Sequence, residues 1–141
     1  MASDSYDSNS GQTMEEAFPV VDPGSVPLGN RVMVQIRRTA AKTRSGIVLV
    51  EETKETVKWN GQVARVHNLG PIAFKNRENA EPWPEGMWAE VGDFVRVPRW
   101  GGDRIEVPIK GGDPVVFVCF QDHELISKVT GDPLVMRTYI L

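Results

Sequence analysis

The sequence predicts an all-β protein, a small barrel-like domain set between two less regular ends. Three observations carry this. The apolar residues alternate with polar ones in short stretches, as in Val32, Val34 and Ile36 against Arg31, Met33, Gln35 and Arg37. Thirteen Gly and ten Pro in 141 residues exceed the ordinary share of about 12% and punctuate the chain with turns. The longest uninterrupted apolar run, residues 115–120, is a strand's length and far short of the roughly 20 residues a spanning helix needs. A chain of 141 residues is one domain's worth, so two catalytic domains are not expected.

Residues 1–26 contain Asp4, Asp7, Glu15, Glu16 and Asp22 with no Lys or Arg, after a Ser- and Asn-rich opening. So polar a stretch predicts a disordered acidic tail. It also lacks the charged-then-apolar pattern of a signal peptide, so a soluble cytoplasmic protein without membrane contact is expected. Residues 31–37 then form the first strand, with one face buried and one in water. Residues 62–67, 93–97 and 104–110 read as further strands, Ile105, Val107 and Ile109 sharing a face. The run 115–120 suits a strand buried on both faces. Gly101-Gly102-Asp103 and Gly111-Gly112-Asp113 read as hairpin turns that use positive φ. Residues 76–90 carry Pro82, Trp83, Pro84, Gly86, Met87 and Trp88, which predicts an ordered loop or hairpin excursion. Residues 130–141 form an extension whose Leu134, Val135 and Met136 are too apolar to sit comfortably in water.

Little in the chain suggests chemistry of its own. Sixteen basic against nineteen acidic residues give a net charge of −3, and without the acidic tail 16 face 14, so charge alone identifies no nucleic-acid partner. His67, His123 and Cys119 are scattered at no metal-ligand spacing, and His123-Glu124-Leu125-Ile126 lacks the second histidine of a zinc-protease helix because position 127 is Ser. No phosphate-cradling glycine motif or nucleophile elbow is present, so no catalytic residue, metal or cofactor is expected. The lone Cys119, inside the apolar run, reads as a packed, inert thiol. Trp59, Arg65, Arg96, Arg99, Trp100 and Arg104 are the residues from which an oligonucleotide-binding barrel would build its platform.

One segment stands apart. Gly46-Ile47-Val48-Leu49-Val50 is a short apolar burst between the polar, basic stretch 39–45 and the charged, Thr-rich stretch 51–58. It reads either as a short edge strand or as an exposed hook that a partner's groove buries.

Pro27-Leu28-Gly29-Asn30-Arg31-Val32-Met33-Val34 resembles the opening strand of the GroES co-chaperonin family, and Ser45-Gly46-Ile47-Val48-Leu49 resembles its mobile-loop anchor, with Ser45 where a glycine is often found. Asn60-Gly61-Gln62-Val63-Ala64-Arg65-Val66, then Val91-Gly92-Asp93-Phe94-Val95, then residues 114–129 are similar to the later strands, in the same order. The resemblance covers residues 27–129. It implies a non-enzymatic subunit of a homo-heptameric dome that closes an ATP-driven, GroEL-type chaperonin ring around unfolded clients, with ATP hydrolysis left to that partner. On this reading residues 39–58 are the mobile loop, Gly46, Ile47, Val48 and Leu49 bind the chaperonin, and residues 76–90 enlarge the roof, with Trp83, Met87 and Trp88 facing the client. The first strand and residues 126–129 are expected to pair across subunits. The added tails suit a divergent, phage-encoded member working in a host cytoplasm. A virion or assembly structural protein on the same barrel is the alternative, and the oligonucleotide-binding barrel the third.

Overall fold

The computed structural model describes residues 12–38 and 62–136. Six strands form one antiparallel sheet: β1 (Arg31–Ile36), β2 (Val63–Leu69), β3 (Phe94–Arg96), β4 (Asp103–Val107), β5 (Val115–Gln121) and β6 (Ser127–Lys128). Their order across the sheet is β4-β5-β1-β2-β3-β6. β1 is central, paired to β5 on one side (Val34↔Val118) and β2 on the other (Val34↔Val66). Val32 and Val34 of β1, Ala64 and Val66 of β2, Val95 of β3, and Val118 and Phe120 of β5 meet in one buried cluster with Phe74 and Leu125. Strands that are not neighbours in the sheet, β3 and β5, share that core, so the sheet curls around it as a small barrel must.

The strands expected from alternation are all present. β5 is buried on both faces as its composition predicted: Val118 and Phe120 enter the main core, while Val115 and Phe117 join Met33 in a second cluster flanked by Ile105 and Val107 of β4. The two glycine turns differ. Residues 111–113 join the hairpin β4–β5, with Gly111 at φ +79°. Residues 101–103 do not close a hairpin, because β3 pairs with β2 and β6 and β4 pairs only with β5. Gly102 is needed there twice over: its φ is +75°, and a Cβ would run into the Val118 side chain of the neighbouring strand.

Three expectations require correction. The second face of β1 is not in water: Met33, Gln35 and Arg37 are as buried as Val32 and Val34. What covers it is the acidic segment expected to be disordered, of which residues 12–26 are described and residues 1–11 lie outside the described residues. Thr13 caps the short helix α1 (Met14–Ala17), its hydroxyl accepting from Glu16 N at 3.1 Å while the Glu16 carboxylate accepts from Thr13 N at 2.8 Å. Ala17 and Phe18 then enter a third cluster with Val63, Val129 and, partly buried, Phe94, Leu134 and Met136. The polar residues on this face are spent on the covering backbone, Gln35 Nε2 donating to Pro19 O at 2.7 Å and Arg65 Nη2 to Phe18 O at 3.2 Å. The third correction concerns assembly. β1 has a neighbour on both sides and no edge to offer a second subunit, whereas β6 pairs with β3 of its own chain on one side and ends the sheet on the other.

Candidate partner-binding site

Three regions stand out against the regular sheet: the insertion at residues 76–90, the point where residues 37–38 and 62–63 meet, and a bulge beside the covered face. The insertion grows from Phe74, a fully buried residue held at φ +61°, a left-handed conformation that costs a residue with a side chain about 1–2 kcal/mol. Two hydrogen bonds hold it there. Phe74 N donates to the buried Asp122 Oδ2 at 2.9 Å, and Phe74 O accepts from Trp83 N at 3.2 Å. Beyond it a narrow hairpin closes through the Lys75↔Pro82 bridge, Asn76 N to Glu81 O at 2.7 Å and Ala80 N to Asn76 O at 2.7 Å. Residues 76–90 thus form the ordered hairpin excursion that their Trp, Pro and Gly content predicted.

Its aromatic residues turn mostly inward. Phe74 meets Trp83 edge-on at 5.6 Å, Trp83 meets Trp88 edge-on at 4.9 Å, and both indoles pack on the main core. Such edge-to-face pairs add about 0.5–1.5 kcal/mol each beyond area burial. Trp88 Nε1 donates to Glu85 Oε1 at 3.2 Å, so its polar edge is partnered at the surface. Of the three residues expected to face a client, Trp83 and Trp88 staple the insertion to the barrel, and Met87 is the one that stands exposed.

At the second region, Arg37 and Arg38 leave β1 just where Gln62 and Val63 enter β2. Arg37 N donates to Val63 O at 2.9 Å, so the two ends of the intervening segment are hydrogen-bonded to one another. The expected chaperonin-binding residues Gly46, Ile47, Val48 and Leu49, and the expected loop 39–58, lie outside the described residues.

At the bulge, the β1–β2 register runs Met33↔Asn68 and then Val34↔Val66, which leaves His67 with no β1 partner. Its ring sits edge-on to Phe117 at 5.1 Å. Burial, and then the Arg65 cation, push its pKa below the ordinary 6.5, against a smaller opposing pull from Asp22. The neutral ring is therefore the one the fold prefers. A lowered folded pKa means that the stability tied to His67 is complete above pH 6.5 and is lost as pH falls toward the folded value. Thermal unfolding should show a drop in midpoint between about pH 7.5 and about pH 5.5 that is smaller in His67→Gln.

No cluster of three or more metal-ligating side chains occurs among the described residues. The Cys119 thiol is pushed up by burial, with the Asp103 carboxylate adding to it, in keeping with a packed and unreactive sulfur. The basic and aromatic residues considered for nucleic acid do not share one platform. Arg65 is held by Gln35 Oε1 at 3.0 Å and lies over the Phe18 ring at 5.5 Å on the covered face. Arg99 stacks on Trp100 at 4.8 Å and its carbonyl accepts from Arg104 Nη2 at 3.1 Å, a local arrangement at the entry to β4. Trp59 lies outside the described residues.

A small curled antiparallel sheet that holds a stapled hairpin and gathers both ends of a long segment at one point has the build of a co-chaperonin subunit. The chain belongs to the chaperonin 10 kDa subunit family (Cpn10), which matches residues 25–110. It is 35% identical over 107 residues to the mitochondrial 10 kDa heat shock protein of Saccharomyces cerevisiae, covering 76% of this chain and 90% of that protein. It is 34% identical over 104 residues to the mitochondrial 10 kDa heat shock protein of Schizosaccharomyces pombe, covering 74% of this chain and 88% of that protein. The co-chaperonin GroES of Caldicellulosiruptor saccharolyticus is 32% identical over 81 residues, covering 57% of this chain and 76% of that protein.

Proposed function

We propose that this chain forms a ring, a homo-heptamer by family resemblance, that caps an ATP-bound, GroEL-type chaperonin ring and encloses unfolded clients. Gly46, Ile47, Val48 and Leu49, within a mobile loop at residues 39–58, make the contact. The observation that carries the reading is the family match, whose bounds, residues 25–110, enclose the Gly-Ile-Val-Leu segment. The energetics suit a reversible lid. Burying three such side chains yields about 4–9 kcal/mol, and ordering the segment costs about 2–5 kcal/mol. One loop alone binds weakly, and a ring of loops binds firmly through effective concentration, so a modest change in the chaperonin's groove switches the whole lid. ATP hydrolysis belongs to the partner ring. The barrel is residues 27–129, with both ends of the chain as additions to it, and the host cytoplasm is the proposed compartment.

The ring contact is drawn from what the described residues leave unpaired. β6 ends the sheet, and Val26, Leu28 and Ile126 are 63%, 67% and 50% exposed. Segment 25–28 of one subunit laid along β6 of the next would cover both, head to tail, a contact that makes a ring when the rotation between subunits closes. Leu28→Asp should shift the assembled species toward monomer in analytical ultracentrifugation, with the midpoint of monomer unfolding little changed because Leu28 is already in water. The lid itself is tested by co-sedimentation with a bacterial chaperonin double ring, where binding should require nucleotide. An intact ring that ignores every chaperonin tried would favour a structural protein built on the same barrel.

A further inference from the structure

We infer that the two terminal extensions of this chain form a collar that holds the ends of segment 39–61 together and so sets how firmly that segment engages a chaperonin. The proposal rests on the lid reading for its second half; its first half stands on the described residues alone. The center of the collar is Arg37, 4% exposed although its position in an alternating strand marks it for solvent. Its guanidinium reaches both extensions at once. Nε and Nη2 donate to Gln12 Oε1 at 3.2 and 3.1 Å, Nη1 donates to Pro133 O at 3.0 Å, and Nη2 donates to Leu134 O at 2.6 Å. The planar fork of an arginine suits this, since it can hold several carbonyl oxygens in fixed directions.

The grip extends to the next residue and to the other end of the segment. Gln12 Nε2 donates to Arg38 O at 2.8 Å, and Arg38 N donates to Ala17 O at 2.9 Å, so the last described residue before position 39 is held from both sides by the N-terminal extension. On the return side Val63, fully buried, packs with Ala17, Phe18, Val129, Leu134 and Met136, which again are residues of the two extensions and of the chain leading into the second. Residues 12–22 and 133–136, which make this clamp, lie outside the family-matched span of 25–110. A segment whose ends are fixed loses less freedom on binding than one whose ends fray, and rigid ends therefore strengthen each contact. Several contacts made at once multiply a small gain at each. Arg37 and Gln12 act here as positioning residues.

The test uses the full chain and the Gln12→Ala variant, which removes no core side chain, with Gln12→Glu as the conservative rescue because it keeps an acceptor for Arg37. Native-state hydrogen exchange should quicken about tenfold at the Arg37 and Arg38 amides in Gln12→Ala, while the Val34 amide at the center of the sheet is unchanged. Affinity for a nucleotide-bound chaperonin should fall about three- to tenfold with ring assembly intact, and Gln12→Glu, which keeps the acceptor for Arg37 and loses the donor to Arg38 O, should restore exchange at Arg37 more than at Arg38. Unchanged exchange at Arg37 and Arg38 overturns the collar. Quickened exchange with unchanged affinity overturns its role in binding. Ile47→Asp run in parallel separates the two readings: if the natural chain binds no better than Ile47→Asp, the lid reading fails, and the exchange rates still decide whether the ends are collared.

Discussion

Ile47→Asp, and separately Leu49→Asp, is expected to abolish capture of this chain by a chaperonin ring without dissolving its own ring. Each substitution forfeits about 2–3 kcal/mol of apolar burial per loop and brings a carboxylate into an apolar groove, where it finds no compensation. At about 1.4 kcal/mol per tenfold, one loop weakens by roughly a hundredfold. The effect is repeated at each subunit, so the assembled lid should fall below detection in co-sedimentation at micromolar concentration. The conservative Ile47→Val should bind nearly as well as the natural chain. Sedimentation of the variant alone supplies the control, since a ring that assembles yet does not bind places the fault in the hook.

Phe74→Ala is expected to be the most damaging single change within the described fold, costing about 3–5 kcal/mol, or a midpoint lower by roughly 10 °C. The loss compounds. Alanine keeps the left-handed backbone at φ +61° and so keeps the strain, while the ring that fills the main core and supports Trp83 and Trp88 is gone. The indoles should report it directly, through a red shift and easier quenching of tryptophan fluorescence as the hairpin detaches. A variant that unfolds at the natural midpoint would mean that the insertion is not stapled through Phe74.

The strands were legible because burial imposes a period of two, and each expected strand is found within a few residues of its expected place. Part of the difference has one cause: polar residues that alternation places in water bind backbone instead. Gln35 and Arg37 hold carbonyl oxygens of segments distant in sequence, a pairing that alternation cannot show. The N-terminal segment carried a usable signal, Thr13 followed at three residues by Glu16 and then by the apolar pair Ala17-Phe18, which is a capped helix start leading into a core anchor. Its acidic composition outweighed that signal. In the insertion, Trp83, Met87 and Trp88 were visible as unusual, but only the contacts with Phe74 separate the two inward indoles from the exposed Met87. The glycine turn at 101–103 shows the same limit, since positive φ at Gly101 and Gly102 is read correctly while the strands it joins belong to different parts of the sheet. The Gly-Ile-Val-Leu segment lies outside the described residues, and its proposed role rests on the order of motifs around it.

The most direct test of the account is protease protection of an aggregation-prone client bound to a chaperonin, measured with ATP and with or without this chain. Closure of the chamber predicts that the client survives digestion only when both nucleotide and the natural chain are present, and is degraded when Ile47→Asp replaces it. Digestion at the same rate with and without the chain, under conditions where the chain is bound to the chaperonin, would contradict a lid.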